Sequence, residues 1–154
     1  MGQNSKFQIT MTKLANKTTV NSKFEIRSSK QALNSKYSNS KQYNLEARTL
    51  EFGKRIIKMC KALPKNYINL RLGDQCLRSG TSVGANYREA NETETKKDFK
   101  NRIRISKKEA KETIYWLELI IDANPQLNER ITPLLEEAKE LMKILGAIYE
   151  KTKS

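Results

Sequence analysis

Histidine is absent from these 154 residues. The chain therefore lacks the commonest general base, the commonest imidazole metal ligand and every Ser-His or Cys-His nucleophile pair. No other cluster of side chains forms a catalytic or metal-ligating set in its place. The sequence predicts a protein that is not an enzyme and that holds no metal and no cofactor.

Cysteines and long apolar runs are scarce as well. Cys60 and Cys76 are the two cysteines, and they lie in segments with the patterns of separate helices. This usage favours small core residues in a reducing compartment, with a bridge or a reactive thiol as the alternative. No stretch approaches the roughly eighteen apolar residues of a membrane span, and no apolar signal segment begins the chain. These absences predict a cytoplasmic protein without a membrane partner.

Acidic residues are few compared with basic ones. The chain has 17 Asp and Glu against 30 Lys and Arg, which gives a formal net charge of +13. Residues 1–42 carry +7 of this charge, with Glu25 as their single acid, and residues 43–154 carry the remaining +6. Such an excess in general favours polyanions, a class that includes anionic membrane surfaces; the partners predicted here are RNA, DNA or an acidic protein.

Residues 1–42 are rich in Asn, Ser, Lys, Gln and Thr and repeat a short motif. The hexapeptide at 4–9 (NSKFQI) recurs at 21–26 (NSKFEI), and a degenerate copy stands at 34–37. The repeat is too short and too polar to bury a core, so ordering it would cost more entropy than burial returns. We predict a disordered basic tail, which is either a leader without a role of its own or an arm that binds nucleic acid.

Helical periodicity begins at Tyr43 and predicts a single domain over residues 43–154. Apolar and small residues recur at intervals of three and four in four successive segments. We expect the first helix to run from about Glu46 to Leu63, before Pro64, and the third to begin with Thr95 as its N-cap. Thr132 and Pro133 predict the start of the fourth helix. The fold class is therefore all-α, an antiparallel up-down-up-down four-helix bundle.

The first two helices carry apolar rows that differ in character. In the first helix, one row contains Leu50 and Ile57 and a neighbouring row contains Phe52 and Ile56, which together predict a wide buried stripe. The second helix has almost only small residues over 79–85. Glycine in a helix interior is unfavourable by up to about 1 kcal/mol relative to Ala, so this run predicts deep burial or close approach of another backbone.

Five polar residues share one face of the second helix, beside its apolar row. They are Gln75, Arg78, Ser82, Asn86 and Glu89, spaced 3, 4, 4 and 3. Glu109 and Glu112 of the third helix could meet Arg78 or Arg88. We interpret this set, with Glu109, as a hydrogen-bonded network that fixes register between helices or subunits, with a ligand site as the alternative.

The first half of the third helix is strongly basic. Residues 96–111 contain eight basic and two acidic residues. The candidate nucleic-acid-binding residues are Lys97, Lys100, Arg104, Lys107, Lys108 and Lys111. A line through Lys97, Arg104, Lys108 and Lys111 points away from the apolar heptad and could follow a phosphate backbone over about 20 Å. The alternative is an ordinary solvated face, and no aromatic residue interleaves the line to read single strands.

Two stretches resemble the four-helix-bundle family of the 23S rRNA intervening-sequence proteins. The central motif of that family resembles residues 75–90 (QCLRSGTSVGANYREA), and residues 96–99 (KKDF) and 106–120 (SKKEAKETIYWLELI) resemble the next helix of one large subgroup. The resemblance covers about residues 44–150. Where relatives often have Glu-Gly after the second helix, this chain has Glu89-Ala90, which affects the expected loop geometry and not the fold.

The resemblance to this family has implications for the oligomeric state and the binding partners. It implies a homopentameric ring, and some members are encoded inside 23S rRNA genes. A related branch supplies the accessory protein of diversity-generating retroelements, which binds a reverse transcriptase and nucleic acid. It implies no catalytic residues. The functional hypothesis is therefore a nucleic-acid-associated oligomer that binds structured RNA. The alternative is a scaffold that docks a protein such as a reverse transcriptase.

Overall fold

Four α-helices build the part of the chain that the computed structural model describes, residues 44–152. They are α1 (Leu45–Ala62), α2 (Tyr67–Glu92), α3 (Lys96–Ala123) and α4 (Asn128–Lys151), with a 3₁₀ turn at Pro125–Leu127 before α4. Each helix packs along the next in antiparallel direction, and α4 returns beside α1. The predicted all-α bundle is confirmed. The predicted tail, residues 1–42, lies outside the described residues.

Side-chain caps fix where three of the helices begin. The carboxamide oxygens of Asn44 and Asn66 and the hydroxyl of Thr95 accept the backbone N–H groups of Ala47, Asn69 and Asp98 at 3.1, 2.8 and 3.1 Å. Each cap satisfies a donor that the first turn of a helix leaves unpaired. The predicted cap at Thr95 is confirmed, and α1 ends at Ala62, before Pro64.

The start of α4 differs from the prediction. The helix begins at Asn128, one turn before Thr132, and Pro133 lies inside it. The Thr132 hydroxyl donates to the backbone carbonyl of Asn128 at 2.8 Å and so does not cap a new helix. The prediction was wrong because the 3₁₀ turn Pro125–Leu127 leads directly into α4, so the helix starts one turn earlier and carries Pro133 as its sixth residue.

The core is a narrow seam between the four helices. On α3 the predicted heptad is confirmed, because six of its positions are 0% exposed: Ile103, Ser106, Ala110, Thr113, Leu117 and Ile120. On α1, Phe52 and Ile56 are buried, but Leu50 and Ile57 are 43% and 40% exposed, so the predicted stripe was too wide. A helix in such a bundle buries only the face between its neighbours. Among the helices of residues 44–152, none has the length and apolar content needed to cross a membrane.

Small residues let α1 and α2 approach closely, as their sequence predicts. A Cβ atom added at Gly80 would lie 2.8 Å from Cγ1 of Ile56, and one added at Gly84 would lie 3.3 Å from the backbone oxygen of Thr49. Ile56 and Thr49 are both buried, so neither neighbour has free space to move into. The glycines therefore set the distance between the two helices.

Two asparagines form a buried amide pair that the sequence analysis did not predict. Asn69 near the start of α2 and Asn124 after α3 are 4% and 2% exposed. Each side chain donates to the other, at 2.9 and 2.8 Å. The Asn69 amide also donates to the backbone carbonyl of Pro64 at 3.0 Å, and that of Asn124 to the carbonyl of Ile120 at 2.8 Å. The pair joins one end of α2 to the end of α3.

The two cysteines meet between α1 and α2 as free thiols. Cys76 is fully buried, and half-buried Cys60 also approaches the backbone oxygen of Gly73, with Sγ at 3.5 Å. A hydrogen bond from the Cys76 thiol lowers the pKa of Cys60. The same hydrogen bond and burial raise the pKa of Cys76. Both side chains belong to the packed interior, as predicted for core cysteines.

Candidate nucleic-acid interface

The outward face of α3 carries a line of exposed positive charge, which we call the basic row. It consists of Lys97, Arg104, Lys108 and Lys111, all exposed, with Asn101 on the same line. Within residues 44–152 none of these four cations lies in an ion pair. The Arg104 guanidinium donates to Oδ1 of Asn101 at 3.0 Å, which holds it along the helix. The basic row therefore presents its charge to solvent.

Two further candidates, Lys100 and Lys107, lie on the flank of α3 that faces α4. Their Nζ atoms are 5.6 and 5.9 Å from the ring centroid of Tyr149, within cation–π range. The Lys107 chain passes Gly146, where an added Cβ would lie 3.5 Å from its Cε atom. The structure thus divides the six predicted basic residues into four on the outward line and two that pack against α4.

The acidic residues within this stretch of α3 lie off the basic row. Asp98 accepts the Thr95 hydroxyl at 2.6 Å and is part of the N-terminal cap. Glu109 is half-buried on the flank that faces α2. Because neither carboxylate lies on the line of exposed cations, the charged side chains on the outward face of α3 from Lys97 to Lys111 are all positive.

The polar row of α2 forms a seam with α3. Arg78 pairs with Glu112, as predicted, and Glu112 also accepts the indole N–H of Trp116 at 3.2 Å. Glu89 pairs with Arg102 at 2.8 Å, and the same guanidinium donates to Oδ1 of Asn86 at 3.4 Å. Arg88 instead pairs with Glu46 of α1 at 3.3 Å. Most of these contacts hold α2 and α3 in register.

The other residues of the seam either form hydrogen bonds within their own helix or, in the case of Glu109, have a buried oxygen that accepts no hydrogen bond from the described residues. The Ser82 hydroxyl donates to the carbonyl of Arg78 at 2.7 Å, and the Asn86 amide to the carbonyl of Ser82 at 2.9 Å. Gln75 is half-buried on the same face. Oε2 of Glu109 is buried, and no group within residues 44–152 donates to it. An unpaired buried carboxylate oxygen is unfavourable, so Glu109 is the weak point of an otherwise satisfied network.

Sequence reasoning missed an aromatic residue on the same outward line. Tyr115 follows Lys111 by four residues and is 54% exposed. Its ring contacts that of Trp116 edge to face, with centroids 5.0 Å apart and planes at 65°. The signal was present, because the 4, 3, 4, 3 spacing of the line extends to position 115. The basic stretch itself ends at Lys111, one turn before this ring.

A second exposed surface lies along α1 and α2 and is apolar. Leu50 and Ile57 are seven residues apart on α1, on the face that also carries Glu46. Leu70, which is 69% exposed, shares a face of α2 with Arg88, the ion-pair partner of Glu46. These three exposed side chains therefore lie on the adjoining outer faces of α1 and α2, which we call the apolar groove.

Comparisons with known proteins identify the family. The family model described as 23S rRNA-intervening sequence protein matches residues 41–147. A crystal structure of a protein of unknown function from the S23 ribosomal protein family of Bacteroides thetaiotaomicron is 36% identical. The match covers 68% of this chain and 96% of that one, with a TM-score of 0.61. No curated protein matches.

Proposed function

The chain belongs to the 23S rRNA-intervening sequence protein family, and we propose that it binds structured RNA through the basic row of α3. The observation that carries this proposal is the row itself, four exposed cations on one helix face without an ion-pair partner within residues 44–152. Fixed cations on a rigid helix can replace the counterions of a phosphate backbone. The role proposed is non-enzymatic.

Rigidity of α3 supports the proposal. The helix is packed on its inner face, joined to α2 by the Arg78–Glu112 and Arg102–Glu89 pairs, and bounded on its other flank by the contacts of Lys100 and Lys107 with Tyr149. The basic row is therefore held on a preformed surface, and RNA binding would not have to order a loop. A preorganised site loses less entropy on binding.

Self-assembly would strengthen a weak contact of this kind. In an oligomer each subunit contributes a basic row, and several weak phosphate contacts act together as avidity. The exposed apolar groove of Leu50, Ile57 and Leu70 is a surface that a second copy could cover. The homopentamer stays a prediction, which light scattering on the full chain measures directly.

The same apolar groove favours a second candidate function, docking of a protein partner. A partner such as a reverse transcriptase would cover Leu50, Ile57 and Leu70, and the positive charge would meet an acidic surface on it. Apolar burial changes little with salt, whereas phosphate binding weakens steeply. Salt dependence therefore separates the two functions.

Fluorescence anisotropy of the full chain with a structured rRNA fragment tests the proposed function. Between about 50 and 200 mM salt we expect the affinity to fall by about 50- to 150-fold, because four phosphate contacts each contribute a slope of about 0.7 to 0.9. Absence of binding even at low salt would refute RNA binding. Binding that changes less than about threefold over this range would refute a phosphate-tracking mode.

A further inference from the structure

We infer that Tyr115 is a base-stacking residue that receives an unpaired nucleobase at the end of the basic row. The inference rests on the proposed RNA-binding function of α3 and names the part of the RNA that this site takes. Tyr115 lies on the outward line of α3, one turn beyond Lys111, and more than half of its surface is open. A phosphate backbone that follows the row would bring a base to this ring.

The ring is held in place by its neighbours. Tyr115 makes an edge-to-face contact with Trp116, whose indole N–H donates to Oε1 of Glu112 at 3.2 Å. Glu112 in turn pairs with Arg78 of α2. Trp116 is half-buried, and its indole is held by the hydrogen bond to Glu112. It therefore gives one side of the Tyr115 ring a rigid support. The exposed face of the ring stays available for stacking.

The charge along the outward line changes sign at Tyr115. Lys97, Arg104, Lys108 and Lys111 precede it, and exposed Glu118 and Asp122 follow it at intervals of three and four residues. A phosphate backbone is attracted by the first half of α3 and repelled by the second. Tyr115 therefore stands where the backbone must leave the helix, about 6 Å along the axis from Lys111.

These observations select one kind of ligand. A fully paired helix keeps its bases inside the stack and offers nothing to an exposed ring, whereas a loop, bulge or strand end can place an unpaired base on it. The expected ligand is an RNA in which a paired segment, whose backbone phosphates lie along the basic row, adjoins an unpaired base. Stacking is tolerant of base identity, so the site distinguishes unpaired from paired nucleotides and not one sequence from another.

The test compares two RNA probes on the full chain. One is a hairpin with an unpaired extension that carries 2-aminopurine, and the other is a blunt duplex of equal length. We expect Tyr115→Ala to weaken binding of the extended hairpin by about tenfold and to abolish the fluorescence change of 2-aminopurine, with the duplex unaffected. Tyr115→Phe keeps the ring and should bind both probes as the native chain does. A DNA hairpin of the same sequence shows whether the ribose matters.

Tyr67→Ala is the matched control, because Tyr67 is an exposed tyrosine of α2 that lies off the outward line, 69% exposed against 54% for Tyr115. If Tyr115→Ala binds the extended hairpin as tightly as the native chain, the stacking inference is overturned and RNA binding by the basic row stands. Equal losses on both probes would also overturn it. If the native chain binds neither probe, the proposed function and the stacking inference fail together.

Discussion

Replacement of Lys97, Arg104, Lys108 and Lys111 together by glutamine is expected to weaken binding of structured RNA by at least about a hundredfold at 0.1 M salt. The four side chains are exposed and make no ion pairs within residues 44–152, so their loss leaves no buried charge unpaired. Glutamine has a helix propensity close to that of lysine and arginine, so α3 should stay folded. Anisotropy measures the affinity, and circular dichroism checks the fold.

A second quadruple variant controls for net charge. Lys54, Lys58, Lys61 and Lys65 are exposed on α1 and the loop that follows it, and their replacement by glutamine removes the same four charges. Both variants keep residues 1–42, which carry +7, so the tail contributes equally to each. We expect the α1 variant to bind within about threefold of the native chain. Equal losses in the two variants would mean that only total charge matters and that α3 is not the interface.

Asn124→Ala is expected to lower the free energy of unfolding by about 2–3 kcal/mol. The change removes the reciprocal pair with Asn69 and leaves that buried amide without a partner for its side-chain oxygen. It also removes the hydrogen bond to the carbonyl of Ile120. Urea unfolding followed by circular dichroism measures the effect.

A double-mutant cycle separates the pair from the individual side chains. If the two amides stabilise each other, Asn69→Ala and Asn124→Ala together should cost less than the sum of the two single changes, because the second substitution removes a group that the first has already left unpaired. Asn101→Ala, at an exposed position of α3, serves as the control and should change stability by no more than about 0.5 kcal/mol. Additive effects, or single losses below about 1 kcal/mol, would contradict the account.

The fold could be predicted where burial follows helical spacing. On α3, positions 103 to 120 of the heptad are all buried because one face of a long helix packs against both neighbours. Leu50 and Ile57 show the limit of that reasoning, since spacing identifies apolar rows but not how far around α1 the neighbouring helices reach. The Asn69–Asn124 pair joins residues 55 apart in sequence, and each asparagine alone has the pattern of an ordinary turn residue.

For the candidate site, the exposure of the basic row could be predicted, but its contacts only in part. The line of Lys97, Arg104, Lys108 and Lys111 follows from helix geometry alone and is exposed as expected. That Lys100 and Lys107 meet the ring of Tyr149 depends on how α4 lies beside α3, and no local pattern encodes this. The contact of Arg78 with Glu112 was predictable because both lie on facing rows of adjacent antiparallel helices.

The central claim is that RNA contacts the outward face of α3, and lysine modification of the full chain with and without RNA tests it most directly. An amine-reactive reagent followed by mass spectrometry measures the accessibility of each lysine separately. We predict that bound RNA protects Lys97, Lys108 and Lys111, whereas Lys54, Lys58 and Lys61 of α1 react as they do in the free protein. Protection of the α1 lysines, or protection confined to lysines within residues 1–42, would contradict the account.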